Sequence, residues 1–180
     1  MTVWFIDTSI LVHILDIPGL SKSGHPSRDQ ALSDLRARTA QKDIFLLPIT
    51  TVIETGNHIC QLDDGQQRRR AAERFRGVLQ KIIDGEAPWR LNEVQWDDDF
   101  LASFLNGAAT RQHWVEHACQ QTLGGGDMSI LVEREQYQMR TGLRDVRIWT
   151  LDHQLQAFAL VDREAPSGHA ATGHNTHPAG

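Results

Sequence analysis

The chain opens on an apolar run, Val3-Trp4-Phe5-Ile6, that stops at Asp7. Thr8 and Ser9 follow, then a second apolar run, Ile10-Leu11-Val12. A short run of aromatic and β-branched residues fits a strand covered on both faces. Hydroxyls ahead of the next run fit a helix start. Asp7 is therefore expected at the carboxyl end of a central strand, where open α/β sheets bind ligands. The helix should reach about residue 16 and be closed by Pro18-Gly19. After a polar loop over 17–27, residues 29–39 read as an amphipathic helix with Ala31, Leu32 and Leu35 on one face. Ile44 to Ile49 reads as a second buried strand, with Thr50 or Thr51 capping a helix that runs to about Leu62. Residues 66–84 form a long helix in which Ala72, Phe75, Val78, Leu79, Ile82 and Ile83 recur at helical spacing.

In the second half the alternation over 89–96 suggests a short strand. Asp97-Asp98-Asp99 opens a helix to about Leu105, its acids favoured by the helix dipole. Residues 110–123 read as another helix, broken by Gly124-Gly125-Gly126, and Asp127 starts a helix to about Met139. Residues 146–150 read as a strand ending at Leu151-Asp152, followed by a helix over 153–160. The 162–180 segment is Gly, His, Pro, Ala and Thr, with few large apolar residues, and disorder is expected there. Strands alternating with helices predict one α/β domain over 1–161, with a central parallel sheet of four or five strands flanked by helices.

Composition narrows the class. The chain has 180 residues, 40% of them hydrophobic, and a net charge of −5. That is enough chain for one core, and no apolar run approaches the ~20 residues of a membrane span. The start shows no secretory pattern. Cys60 and Cys119 make neither a disulfide framework nor a cysteine zinc site, so a cytoplasmic location is expected. The acidic balance argues against a generally basic nucleic-acid binder but leaves room for a local patch. Of the 18 basic residues only Lys22, Lys42 and Lys81 are lysine. That bias fits phosphate or carboxylate recognition by arginine, and equally a GC-rich genome.

Candidate chemistry gathers on four acids. Asp7 and Asp152 each follow a strand. Glu54 lies just beyond the second strand, and Asp127 follows the triple glycine. In a parallel sheet these ends lie side by side, so acids from distant segments can converge. Convergence would raise at least one pKa and makes physical sense with cations present. Oxygen ligands select hard ions, Mg²⁺ or Mn²⁺, which activate water and steady the leaving oxygen of a phosphodiester. Thr8, Ser9 and Thr150 are candidates to orient the acids or their waters. Each acid also has an ordinary alternative: Asp7, Asp127 and Asp152 as caps or Asx turns, and Glu54 as a solvated helix residue.

The stretches FIDTSILVHIL, LLPITTVIETGNHI, GGGDMSILV and IWTLDHQLQAF together resemble the PIN-domain nucleases, particularly the VapC-type toxin ribonucleases, in order and spacing over about residues 2–160. The resemblance implies a PIN-like parallel α/β fold and an endoribonuclease dependent on Mg²⁺ or Mn²⁺, with Asp7, Glu54, Asp127 and Asp152 as catalytic and metal-binding residues. It also implies an RNA substrate, an antitoxin protein as partner and a homodimer. Three features depart from that pattern, the extra 162–180 tail among them. Asp127 is followed by Val132-Glu133-Arg134-Glu135 rather than an alanine-rich helix, and 63–96 is long and arginine-rich. A PIN-like module that binds RNA or protein without cutting is the competing expectation.

Two further clusters need weighing. Arg68-Arg69-Arg70, Arg74 and Arg76 form the main basic group. Arg69 and Arg76 are nearly aligned on a helix and are the candidates for RNA contact, against a solvated face paired with Glu73. His113-Trp114-Val115-Glu116-His117 fits an inverted zinc-protease pattern. It lacks an evident third ligand, so a structural histidine pair is the preferred reading. No phosphate-binding P-loop sequence is present.

Overall fold

A computed structural model describes residues 1–20 and 26–159. The elements run β1 (Val3–Ile6), α1 (Thr8–Ile14), α2 (Pro26–Ala40), β2 (Ile44–Leu46), α3 (Ile49–Cys60), α4 (Gly65–Ile83) and β3 (Trp89–Arg90). They continue with α5 (Asp98–Leu105), a 3-10 turn (Ala108–Thr110), α6 (Trp114–Gln120), α7 (Gly125–Thr141), β4 (Val146–Trp149) and α8 (His153–Gln156). The expectation for 162–180 lies outside the described residues.

The sheet has four strands, all parallel, in the order β3-β2-β1-β4. This is the α/β architecture read from the sequence; among the described residues there is no fifth strand. Val3 pairs with Ile44 on one side and with Val146 on the other. The chain steps from β1 to β2 to β3 in one direction, and then β4 returns to the opposite side of β1. The reversal falls between β1 and β4, the place in such sheets where a crevice opens beyond the strand ends.

Period-two alternation sends neighbouring side chains of β1 to opposite layers. Ile6 packs with Ile10, Leu11, Phe45, Trp89 and Trp149 under α1, α2 and α4. Val3 and Phe5 pack with Met128, Leu131, Val146, Ile148 and Leu155 under α7 and α8. Phe5 and Leu131 are fully buried, and side chains of this size contribute roughly 1.5–3 kcal/mol each on burial. At the sheet's edge the Arg38 guanidinium lies 3.7 Å from the Trp4 ring centre and 4.0 Å from that of Trp149.

Several boundaries differ from the sequence expectations for identifiable reasons. The second strand ends at Leu46, because Pro48 occupies the position ahead of α3 and Ile49 is already helical. Thr50 and Thr51 are therefore inside the helix rather than capping it. The expected helix over 110–123 is interrupted: Gly107 and Arg111 adopt left-handed φ values of 82° and 62°, and α6 begins only at Trp114. The triple glycine does not end one helix before another starts. Gly125 and Gly126 form the first turn of α7, which puts Asp127 at its third position. On α4, Ala71 rather than Ala72 is buried, and Ile83 is 76% exposed. No helix among the described residues is long and apolar enough to cross a membrane.

Candidate functional site

Asp7 sits at the β1–α1 corner and is buried. As the N-cap of α1 it accepts the Thr8 amide at Oδ1 (2.7 Å) and the Ser9 amide at Oδ2 (3.3 Å). Two hydroxyls also donate to Oδ2: Ser9 Oγ at 2.5 Å and Thr150 Oγ1 at 2.7 Å. Each of those hydroxyls accepts a backbone amide from the loop after β4. Leu151 donates to Ser9 Oγ and Asp152 to Thr150 Oγ1, both at 2.9 Å. Amide, hydroxyl and carboxylate thus run in series twice over, locking the end of β4 to the end of β1. Ser9 and Thr150 orient Asp7 and the backbone that carries Asp152, the kind of role the sequence suggested for them.

Asp152 is exposed and caps α8 through Oδ1, which accepts the amides of Gln154 (2.7 Å) and Leu155 (3.1 Å). The cap and the candidate-ligand readings of this residue are compatible, because only one carboxylate oxygen is used. Glu54 lies on α3, exposed, with Oε2 accepting the Thr8 hydroxyl at 2.7 Å. Thr8 therefore joins the β1–α1 corner to α3.

Asp127 accepts the Gly124 amide at 2.8 Å and completes the start of α7. Its carboxyl is pushed up to about 6. Burial is the largest cause, opposed by the Gly124 hydrogen bond; the charges of Asp7, Asp152 and Glu54 then add to the rise. Asp127 is thus within electrostatic reach of the other three acids, each from a separate segment. The four acids do not close on one point: among the described residues, no three His, Cys, Asp or Glu side chains are grouped to hold a metal ion.

Two buried residues that hold α3 in place were not picked out by sequence reasoning. Thr51 was considered only as a cap, yet it donates its hydroxyl to the carbonyl of Ile6 at 2.9 Å. Glu133, 1% exposed on α7, accepts the Ile49 amide at 3.1 Å and the Asn92 side-chain amide at 2.9 Å. Pro48 offers α3 no side-chain cap, so Glu133 supplies one from another helix. Burial pushes the Glu133 carboxyl up to about 7, against the opposing pull of these two hydrogen bonds. The sequence offered little signal: Glu133 and Arg134 follow the apolar run Ile130-Leu131-Val132 and are followed by Glu135 and Gln136, which reads as a solvated turn.

The other candidates fall into structural roles or stay apart from the acids. Arg69 pairs with Glu73 at 3.0 Å, both well exposed, a contact worth little in stability. Arg76 is exposed on the same helix. Arg74 donates to the carbonyls of Leu15 and Asp16, closing the end of α1. His117 is buried, with Nε2 at 2.8 Å from Thr110 Oγ1 and Nδ1 at 2.7 Å from Thr122 Oγ1. His113 precedes α6 at its N-cap and is exposed. Both ring nitrogens of His117 are thus engaged in hydrogen bonds to threonine hydroxyls.

No protein-family model, curated protein or solved structure matches this chain. The functional reading therefore rests on the residues themselves.

Proposed function

We propose that the chain is a PIN-like endoribonuclease that depends on a divalent cation. The observation that carries this reading is geometric: Thr8, next to Asp7, hydrogen-bonds Glu54, Thr150 links Asp7 to the Asp152 amide, and Glu54 lies against Gly126, the neighbour of Asp127. Gathering four carboxylates opposes folding unless a cation or a bound partner repays it. The donor set is all oxygen, which fits Mg²⁺ or Mn²⁺. Asp7, Glu54, Asp127 and Asp152 would hold the ion, and when bound it supplies a nucleophilic water at neutral pH and stabilises charge on the phosphate.

The chain's own residues do the rest. Ser9 and Thr150 fix the Asp7 carboxylate, Thr8 holds one oxygen of Glu54, and the α8 amides hold one oxygen of Asp152. Each bond sets a carboxylate's direction before substrate arrives, and such pre-organisation is where positioning contributes to rate. On this reading RNA is the substrate, and an antitoxin is a partner that would cover the acids with an arginine. The cytoplasm would be the working compartment.

A second reading has one observation in its favour. The acids are not grouped to hold an ion as they stand, which suits a PIN-like module that binds RNA or protein without cutting. One experiment separates the two. The full chain is incubated with total RNA in Mg²⁺ or Mn²⁺, in EDTA, and as the Glu54→Gln and Asp152→Asn variants. The nuclease reading expects cleavage only with metal and its loss in both variants. Cleavage that survives EDTA or both substitutions would sink it, and RNA retention without cleavage would favour the binding module.

A further inference from the structure

The three consecutive glycines at the start of α7 are not equivalent. A Cβ at Gly125 would meet only the Trp114 ring, at 3.9 Å, an ordinary contact. A Cβ at Gly124 would stand 3.3 Å from Asp127 Oδ2. A Cβ at Gly126 would stand 2.5 Å from Glu54 Oε1 and 3.4 Å from its Cδ. Real carbon atoms do not approach a carboxylate oxygen that closely. Nor does the backbone require glycine here, since Gly126 is an ordinary residue of α7 without a left-handed φ. A helical glycine costs roughly 0.5–1 kcal/mol relative to alanine, so this one carries a local stability cost that its conformation does not explain.

We propose that Gly126 is a positioning residue for Glu54, the missing side chain being what leaves room for the Glu54 carboxylate against the first turn of α7. Glu54 is held from two directions. Thr8 Oγ1 fixes Oε2 at 2.7 Å, and the bare Cα face of Gly126 accommodates Oε1. A methyl group at 126 would push Oε1 away while Thr8 holds the other oxygen, turning the carboxylate or breaking the Thr8 bond. Glu54 is long and exposed, so the displacement costs the fold little. The cost falls on the direction of the carboxylate. This inference rests on the proposed metal-dependent site and extends it to a residue that touches neither ion nor RNA.

The test uses the full chain with Gly125→Ala as control, Gly126→Ala as probe, and each combined with Glu54→Ala. Three quantities are read: the melting temperature in EDTA, its shift on adding Mn²⁺, and RNA cleavage. In EDTA both alanine variants should melt at or above the wild type, because alanine restricts the unfolded chain. Gly126→Ala should stabilise more in the Glu54→Ala background, where nothing has to move. Gly125→Ala should keep wild-type cleavage and Mn²⁺ response, whereas Gly126→Ala should lose cleavage by roughly tenfold or more, with most of the Mn²⁺ shift. Wild-type cleavage and Mn²⁺ response in Gly126→Ala would overturn the proposal. So would a fall in its EDTA melting temperature that is the same with and without Glu54, because that marks a purely structural glycine. If the wild type itself neither cuts RNA nor responds to Mn²⁺, the nuclease reading falls and Glu54 has nothing to be positioned for. If the wild type does both and the two alanine variants behave alike, Gly126 alone is wrong.

Discussion

The hydroxyl of Thr51 donates to the carbonyl of Ile6 across 2.9 Å, with both residues sealed from solvent. Ile6 is the residue before Asp7, and Thr51 lies three residues before Glu54 on α3. One buried hydrogen bond therefore ties the helix that carries Glu54 to the strand that ends at Asp7. Thr51→Val keeps the shape and leaves the carbonyl unpaired. It should destabilise the fold by about 1–3 kcal/mol in urea unfolding. Cleavage, where present, should fall further than the small loss of folded protein accounts for; an unchanged midpoint would show that the bond contributes nothing.

Asp7→Asn should weaken the fold as well as the site. Oδ2 receives two hydroxyl donors and Oδ1 a backbone amide. Whichever way an asparagine is turned, its NH₂ faces a donor. A loss of about 1–3 kcal/mol is expected. Asp152→Asn should cost much less, since one oxygen suffices for both capping amides. Melting both variants in EDTA checks the contrast, and equal melting temperatures would contradict it.

Glu133 gives stability a pH dependence with a definite sign. Its carboxyl is held up at about 7 in the folded chain against an ordinary 4.5. Between those values the folded chain binds the extra proton, so stability must fall as pH rises through the window. The contribution is fully present below about 4.5 and gone above about 7, with roughly 3–4 kcal/mol as an upper bound. Glu133→Gln removes this titration. The difference in unfolding free energy between wild type and variant should change across pH 4.5–7 and be flat outside it. A difference that is constant over the whole range would refute the assignment.

Arg38 joins the first and last strands by stacking on Trp4 and Trp149. Arg38→Lys keeps the charge and loses the flat guanidinium. A cost of about 1 kcal/mol is expected, with a change in tryptophan emission as the rings lose their partner. An unaltered spectrum and midpoint would mean that the stack is incidental.

The parts of the fold legible in sequence were those with a strong local signal. β1 is an apolar run stopping at Asp7, and its expected cover on both faces is met by Ile6 in one layer and Phe5 in the other. Asp7 and Asp152 could be expected at one edge because strand ends in a parallel sheet are neighbours. Their connection through Ser9 and Thr150 needs the strand order, which no local pattern contains. Thr51 was misread for a similar reason: a threonine near a helix start looks like a cap until Pro48 is seen to occupy that place. Glu133 stood out only as a departure from an alanine-rich helix, because its partners, Ile49 and Asn92, are 84 and 41 residues away. Gly126 looked like a helix breaker because its neighbour, Glu54, belongs to another helix.

The pairing of Val3 with Val146 also fixes when Asp7 and Asp152 can become neighbours. Asp7 and Asp152 are contributed by the first and last strands of the sheet, so most of the chain must be synthesised before they meet. Contacts this distant in sequence form late and carry a large loop-closure cost. A growing chain can build the β1-β2-β3 side, where Thr8 already joins Glu54 to the Asp7 corner, before Asp127 and Asp152 are available. Under the proposed nuclease reading, this order of assembly would withhold the complete set of acids until β4 has paired with β1.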